Sequence, residues 1–492
     1  MTYDLLIIGG GINGCAIARE ASLLGLKVLL VEKDDLAAHT SSASTKLIHG
    51  GLRYLETYEF RLVREALHER ERLLEAAPHL IHPLTFVLPH AHSVRPWWLV
   101  RLGLHIYDLL AGGTSLPRSR GLRKGDKAFT DPLSGTHSGF VYSDCRVDDA
   151  RLTLANAIDA AHHGAEIATR TELLSAKRDG GMWRAELSDG RTIEARGLVN
   201  AAGPWVRLLL DKLAIANHSQ VRLVKGSHIV VPKLFDGDHA YILQQPDRRI
   251  VFAIPYEGEF IEIGTTDIPV DRPEDAVCSE DEKRYLLEAV NRYFTRQVSE
   301  QDIVWCWSGV RPLHDDGAAK AQAVTRDYVL ELDRDGPPLL SIFGGKITTA
   351  RALAEDALAK IGPALGVDAE PVTRARVFPG GAIPAFDKFI ATAKARWPFL
   401  GDARAERMAH AYGCCLGDML RDLPDLGEDL GTGLTATEIR WMRDHEWART
   451  AEDVLWRRSK LGLHAAPELA AKVEAVLREP ATGTANRALS PS

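Results

Sequence analysis

Cysteine is scarce in this chain, with six residues in 492, and none is spaced as C-x-x-C. Cys15, Cys145, Cys278, Cys306 and the adjacent Cys414 and Cys415 therefore build neither a disulfide framework nor a structural zinc site, and they read as buried thiols in a reducing compartment. No spacing of ligand residues calls for a metal. A basic excess is also lacking: 60 Lys and Arg stand against 67 Asp and Glu, a net charge of -7, so no overall field attracts nucleic acid. No apolar run is long enough to span a bilayer, and no basic leader precedes the strand expected from Asp4. The expectation is a cytoplasmic chain that can still lie on a membrane surface. Internal repeats and low-complexity blocks are absent, except for a small polar tail, "EPATGTANRALSPS", expected to be disordered.

What remains is an ordinary globular composition, 45% apolar and 26% charged, over a length that calls for two or more domains. Its first feature is "DLLIIGGGINGCAIAREASLLGLKVLLVE". Leu5 to Ile8 read as a buried parallel strand and Cys15 to about Leu24 as a helix, with Gly9, Gly11 and Gly14 forming G-x-G-x-x-G between them. Gly9 permits a tight turn, Gly11 lets backbone approach a pyrophosphate, and Gly14 lets helix and strand pack closely. Ile12 and Asn13 stand within this turn as further cofactor-binding candidates, before a helix whose N–H groups face the phosphates. A second strand, Lys27 to Val31, ends at Glu32, a carboxylate suited to the ribose hydroxyls and hostile to the extra phosphate of NADP. This unit alone leaves FAD and NAD open.

Two later segments bear on that choice. "RTIEARGLVNAAGPW" reads as a hairpin strand, Arg191 to Ala195, running into a buried strand, Gly197 to Asn200, closed by Ala201, Ala202 and Gly203. "LLSIFGGKITTARALAEDALAKI" reads as strand, turn and amphipathic helix, with Gly344, Gly345, Lys346, Thr348 and Thr349 at the helix start. A dinucleotide met by three separated strand–turn segments favours FAD, because an NAD module is complete within one contiguous unit. The alternative is that the later segments are ordinary α/β turns.

"GGGINGC", "SSASTKLIHGGLRYLE", "YEFRLVREAL", "YSDCRVDDARL", "KGSHIVVP", "SGVRPL", "TRDY" and "FGGKITT", in this order, resemble the FAD-dependent glycerol-3-phosphate dehydrogenases of aerobic bacteria, in the glycine/D-amino-acid oxidase-like flavoprotein group. The resemblance covers nearly the whole chain. It implies oxidation of sn-glycerol 3-phosphate to dihydroxyacetone phosphate on FAD, electrons passed to a membrane quinone, and a homodimer held peripherally on the inner face of the cytoplasmic membrane. It also implies that Ser42, Ser44, Thr45, Lys46, His49, Gly50, Gly51 and Leu52 line the FAD, and that Arg53 and Tyr54 face substrate. The competing reading within the same flavin chemistry is a glycerophosphate oxidase using oxygen, or another oxidase of the D-amino-acid oxidase-like group. A flavin-binding sensor without turnover is the reading from a different class.

A phosphorylated polyol needs cationic groups in fixed geometry. The motif matches offer Arg53, Arg311, Arg326 and Lys346, with Thr348 beside the last. Oxidation at C2 also needs a base for the hydroxyl proton. His228 is the candidate, with Arg311 as the alternative that stabilises a forming alkoxide. His49 would orient the flavin or act through its N5.

"RPWWLVRLGLHIYDLLAGG" is the one stretch of interfacial character: a helix with Arg101, His105 and Asp108 on one face and Leu99, Ile106 and Leu110 opposite. It reads either as packed on its own domain or as lying in a headgroup layer. Towards the C-terminus, Trp441, Trp447 and Trp456 are expected to fill a small helical core. The expected architecture is α/β: a discontinuous Rossmann-type FAD domain (1–80, 145–215, 320–370), a substrate domain with a mixed or antiparallel sheet (81–144, 216–319), and a C-terminal helical domain (371–492).

Overall fold

The computed structural model describes residues 1–480 except 136–137, 217–218, 220, 315–326 and 422. Arg326 and residues 481–492 of the tail therefore lie outside the described residues.

Continuous apolar runs build the first sheet. Leu5, Leu6 and Ile7 are fully buried, each contributing about 1.5–3 kcal/mol of transfer free energy, because the strand Thr2–Ile8 has covered faces and parallel neighbours on both sides. These are Val28–Val31 and Thr192–Asn200. Glu166–Ala168 extends the parallel sheet beyond Val28–Val31, and Leu339–Phe343 extends it beyond Thr192–Asn200, with Val329–Asp333 antiparallel at the edge. The helices Ile12–Leu23, Asp149–His162 and Ala350–Leu365 share a core with this sheet. Ile8 stands opposite Asn200 and Val31, and Asn200 opposite Ser341, so the turns after these strands open at one edge of the sheet. Ligands bind at that edge in open α/β sheets. The two short strands expected between Arg191 and Asn200 are one, Thr192–Asn200. Its first half pairs with Met182–Leu187 and Glu194 to Asn200 lie along Thr2–Ile8, so no break is needed at Arg196.

The second sheet has ten strands and is mostly antiparallel. Its long strands Val221–Pro232 and Trp305–His314 lie side by side, with His228 opposite Trp307 and Val224 opposite Arg311. Ile81–Pro89 and Gly139–Val147 form its other half.

The C-terminal unit has its own core, but aliphatic residues, methionines and Trp397 fill it. Trp441 and Trp456 sit half-buried at its margin, and Trp447 packs on the core of the first sheet. Trp441, Trp447 and Trp456 serve at the seams, where so large a ring keeps one edge exposed. Only Cys15 and Cys145 are buried, the other four thiols being partly exposed. Among the described residues no helix is long and apolar enough to cross a membrane.

The seam between the C-terminal unit and the strand Ile81–Pro89 carries histidines. His410 Nδ1 lies 2.9 Å from His82 Nε2, which is 3.1 Å from the His79 carbonyl oxygen. Burial holds both His79 and His82 down at about 3, against about 6.5 in an unfolded chain. Because the folded values are depressed, the unfolded chain takes protons first on acidification, and stability present above pH ~6.5 is lost as pH falls below it. The thermal midpoint is expected to hold between pH 8 and 7 and to drop steadily below ~6.5. A midpoint insensitive to pH in that acid window would mean these rings protonate inside the native protein.

Candidate functional site

Gly9 adopts φ +113°, and a Cβ there would lie 2.5 Å from the Ala201 carbonyl oxygen. A Cβ on Gly14 would lie 1.9 Å from the Gly9 carbonyl oxygen, so Gly14 secures the close packing expected of it. Glu32 accepts hydrogen bonds from the backbone N–H of Gly10 (2.7 Å) and Asp34 (2.9 Å), which fix its carboxylate at the strand end. Gly9, Gly11, Ile12, Asn13, Glu32, Ala202, Gly203 and Gly345 line one cavity of about 280 Å³. Asn13 Nδ2 donates to the Gly344 carbonyl at 3.2 Å, joining the first and third segments directly.

A second cavity, about 740 Å³, adjoins it. Ile12, Thr40, Ser41, Pro312 and Gly345 line both, so the two form one long groove between the sheets. Ser44, Thr45, His49, Gly51, Leu52, Arg53, Tyr54, His228, Arg311, Lys346 and Thr348 all line the larger part. Burial, then the Lys346 and Arg70 cations, hold His49 at about 4.

Four other expected residues work behind the lining. Lys46 is buried and its ammonium donates to Asp149 (2.9 and 3.0 Å) and to the Ser42 carbonyl (2.9 Å). Ser44 donates to the same carboxylate at 2.7 Å. Lys46 thus closes its own loop and brings no free cation to the groove. Gly50 donates its N–H to the Tyr107 hydroxyl at 2.8 Å, and buried Thr349 precedes the helix Ala350–Leu365.

At the reactive end His228 is 1% exposed, and the Thr45 hydroxyl lies 3.0 Å from its Nε2. Its imidazole lies across Gly264, where a Cβ would come within 2.0 Å of Cδ2. Burial, reinforced by Arg311 and Lys46, pushes its pKa well below the usual histidine value, so the ring is neutral. Arg311 lies across a second glycine, Gly226, and is held by Asp267 and by the Thr265 hydroxyl at 3.0 Å. Lys346 Nζ sits 4.0 Å over the Tyr54 ring and is buried without a hydrogen-bond partner among the described residues. A buried unpaired ammonium is costly unless an anion completes it.

Several of these residues were not legible beforehand. Asp149 stands in the quoted "YSDCRVDDARL", where nothing distinguishes it from Asp148 beside it. Ser41 accepts the Ile12 N–H at 2.9 Å and joins the two cavities, yet it is one serine among three. Gly226 and Gly264 bear on the site only through what crosses them. Gly264→Ala is expected to drive the imidazole off Thr45 and slow turnover about 100-fold while bound cofactor absorbance is unchanged. Wild-type turnover in that variant would show that the ring has another place to go.

Residues 4–351 match the family described as FAD dependent oxidoreductase. The chain is 50% identical over 475 residues to the aerobic glycerol-3-phosphate dehydrogenase of Escherichia coli, covering 94% of each chain. It is 49% identical over 480 residues to the D-erythritol 1-phosphate dehydrogenase of Brucella abortus, covering 94% of this chain and 95% of the relative. Among solved structures, the glycerol-3-phosphate dehydrogenase of Bacillus halodurans complexed with FAD superimposes with a TM-score of 0.74 at 26% identity, covering 97% of this chain and 94% of that one.

Proposed function

This chain belongs to the FAD-dependent oxidoreductase family and, within it, to the glycerol-3-phosphate dehydrogenases, and from that premise we propose that it oxidises sn-glycerol 3-phosphate to dihydroxyacetone phosphate and passes the electrons to a membrane quinone. The observation that carries the substrate is the buried ammonium of Lys346, without a hydrogen-bond partner among the described residues, in the same cavity as the neutral imidazole of His228. Lys346 and Arg53 meet the phosphate, Tyr54 packs beside it, and Arg311, steadied by Asp267, meets the C2 oxygen. His228 Nε2, 3.0 Å from the Thr45 hydroxyl, takes the C2 hydroxyl proton when substrate displaces that contact. FAD in the groove supplies the hydride acceptor. The fit for FAD rests on the glycine cradle at Gly9 and Gly14, Glu32 at the ribose end, and the continuity of the two cavities.

Anaerobic addition of glycerol 3-phosphate is expected to bleach the bound flavin, with glycerol and D-amino acids inert. A spectrum that stays oxidised with glycerol 3-phosphate overturns the reading. D-Erythritol 1-phosphate, named in one relative, tests the chain length admitted. Peroxide yield against quinone reduction separates the oxidase from the dehydrogenase, and light scattering tests the homodimer.

The quinone and the membrane are supported by the helix Trp97–Ala111. Val100, Leu104, Tyr107 and Ala111 bury one face of it on its own domain, not the face of Leu99, Ile106 and Leu110. Arg101 and Asp108 are tied to Ser119. Trp98, Leu102 and Leu109 stay exposed at helical spacing, while Leu99, Leu102 and Ile106 line the larger cavity. An apolar ridge beside an apolar opening suits a lipophilic acceptor arriving from a bilayer. The variant carrying both Trp98→Asp and Leu109→Asp is expected to lose vesicle binding and vesicle-quinone reduction, yet to reduce a soluble dye at the wild-type rate. Undiminished vesicle binding would assign the membrane contact elsewhere.

A further inference from the structure

The C-terminal unit meets the surroundings of the site described above at the π-helix Asp453–Arg458. π-Helical turns are rare and re-aim the side chains they carry. Here three consecutive residues reach two different places. Trp456 stacks on Trp305 at 4.4 Å and 29°, with Gly462 leaving room for its ring. Trp305 contacts Trp307 at 4.8 Å, and Trp307 lies parallel to the His228 imidazole at 5.0 Å and 9°. His228 Nδ1 is buried and has no hydrogen-bond partner among the described residues, so the ring plane is set by the Thr45 contact and by this stack. Arg457 Nε donates to Asp35 at 2.7 Å, and Arg458 Nη2 donates to its other oxygen at 2.9 Å. Asp35 follows Asp34, whose N–H holds Glu32.

We propose that the π-helix Asp453–Arg458 is a positioning element of the active site: Trp456 sets the plane of His228 through Trp305 and Trp307, and Arg457 and Arg458 hold the turn that presents Glu32 to the cofactor. The proposal rests on the roles given above to His228 and Glu32. Asp35 and Arg458 are almost fully buried, so neither side of that contact can be satisfied by solvent if the other is lost. Lys460 pairs with Asp148, immediately before the Asp149 that closes the Lys46 loop, and Arg151 Nε donates to the Arg458 carbonyl at 2.8 Å. The same segment therefore braces the loop that carries Thr45.

The groups acting on His228 are Lys46 and Arg311 as cations and the Thr45 hydroxyl; Glu262, opposite Val230 on the neighbouring strand, faces Lys46, and Tyr256 contacts Trp307. A tilted ring meets a different balance of these, so its pH dependence moves with its plane. The test is anaerobic single-turnover reduction of the bound flavin by glycerol 3-phosphate across pH. Trp456→Ala is expected to be about 10- to 100-fold slower at saturating substrate, with half-saturation nearly unchanged and the pH midpoint displaced. Trp456→Phe restores most of the rate. If Trp456→Ala fails to fold, Trp456→Leu keeps the apolar volume and removes the stack. Wild-type rate and pH profile in these variants, with His228→Ala slow, overturns the Trp456 role. A fast His228→Ala instead removes the base on which that role rests. For the second contact, Asp35→Asn and Arg458→Lys are expected to weaken FAD binding about tenfold or more, read by flavin fluorescence without turnover, and unchanged affinity overturns that half.

Discussion

Replacing His228 by alanine is expected to slow reduction of the bound flavin by glycerol 3-phosphate about 10²- to 10⁴-fold, with FAD still bound and substrate half-saturation little changed. The size follows from the ring's position. It lines the reactive cavity and is neutral, the groups acting on it, Lys46 and Arg311, are cations, and Asp267, a carboxylate of the same lining, is paired with Arg311. The cofactor should remain because Glu32 and the glycine turns that hold it lie at the other end of the groove. Because burial and the two cations keep the pKa well below the usual histidine value, the ring stays neutral where a solvated histidine takes up its proton. The rate in wild type is therefore expected to show no drop as pH falls through ~6.5 and to decline only well below it. Arg311→Ala provides the contrast, with substrate half-saturation affected first. Stopped-flow traces that coincide for wild type and His228→Ala would take this residue out of the mechanism.

Removing the carboxylate of Asp149 is expected to be the most damaging single change to the scaffold, with Asp149→Ala costing about 3–5 kcal/mol and releasing FAD. Asp149 is fully buried and receives the Lys46 ammonium, the Ser44 hydroxyl and the Ser44 N–H. Its loss leaves a buried cation unpaired in a loop that also carries Thr45, the partner of His228. Chemical denaturation reads the stability and flavin fluorescence reads the cofactor. The double variant with Lys46→Met should recover much of the stability, because no stranded charge remains, but not the loop geometry. A stability loss below about 1 kcal/mol, within the range of exposed ion pairs, would show that solvent reaches this pair.

How much could be read beforehand depended on the kind of feature. The first strand, the glycine turn and Glu32 were legible because their spacing is local and each residue type has one physical reason to be there. The two later turns were legible as strand ends, but their meeting at one edge depends on sheet order. The boundary inside Thr192–Asn200 was misplaced because an alternating half and a continuous apolar half look like two elements, although one strand can pair with a hairpin and a parallel neighbour at once. Lys46 looked like a cofactor ligand by motif, while its partner Asp149 lies a hundred positions away. The place of Trp441, Trp447 and Trp456 is not legible in sequence, because hydrophobicity does not distinguish a core position from a seam between packed units.

Thr192–Asn200 and Leu339–Phe343 are distant in sequence from Gly9, and the turns that follow them line the groove beside it. Closing such long loops delays non-local sites until late in folding. The nascent chain can make its glycine turn early, but it has no complete cofactor groove until the turn at Gly344 and Gly345 has joined it. Flavin uptake is thus a natural signal that three separated segments have met, and a product truncated before Gly344 should emerge colourless.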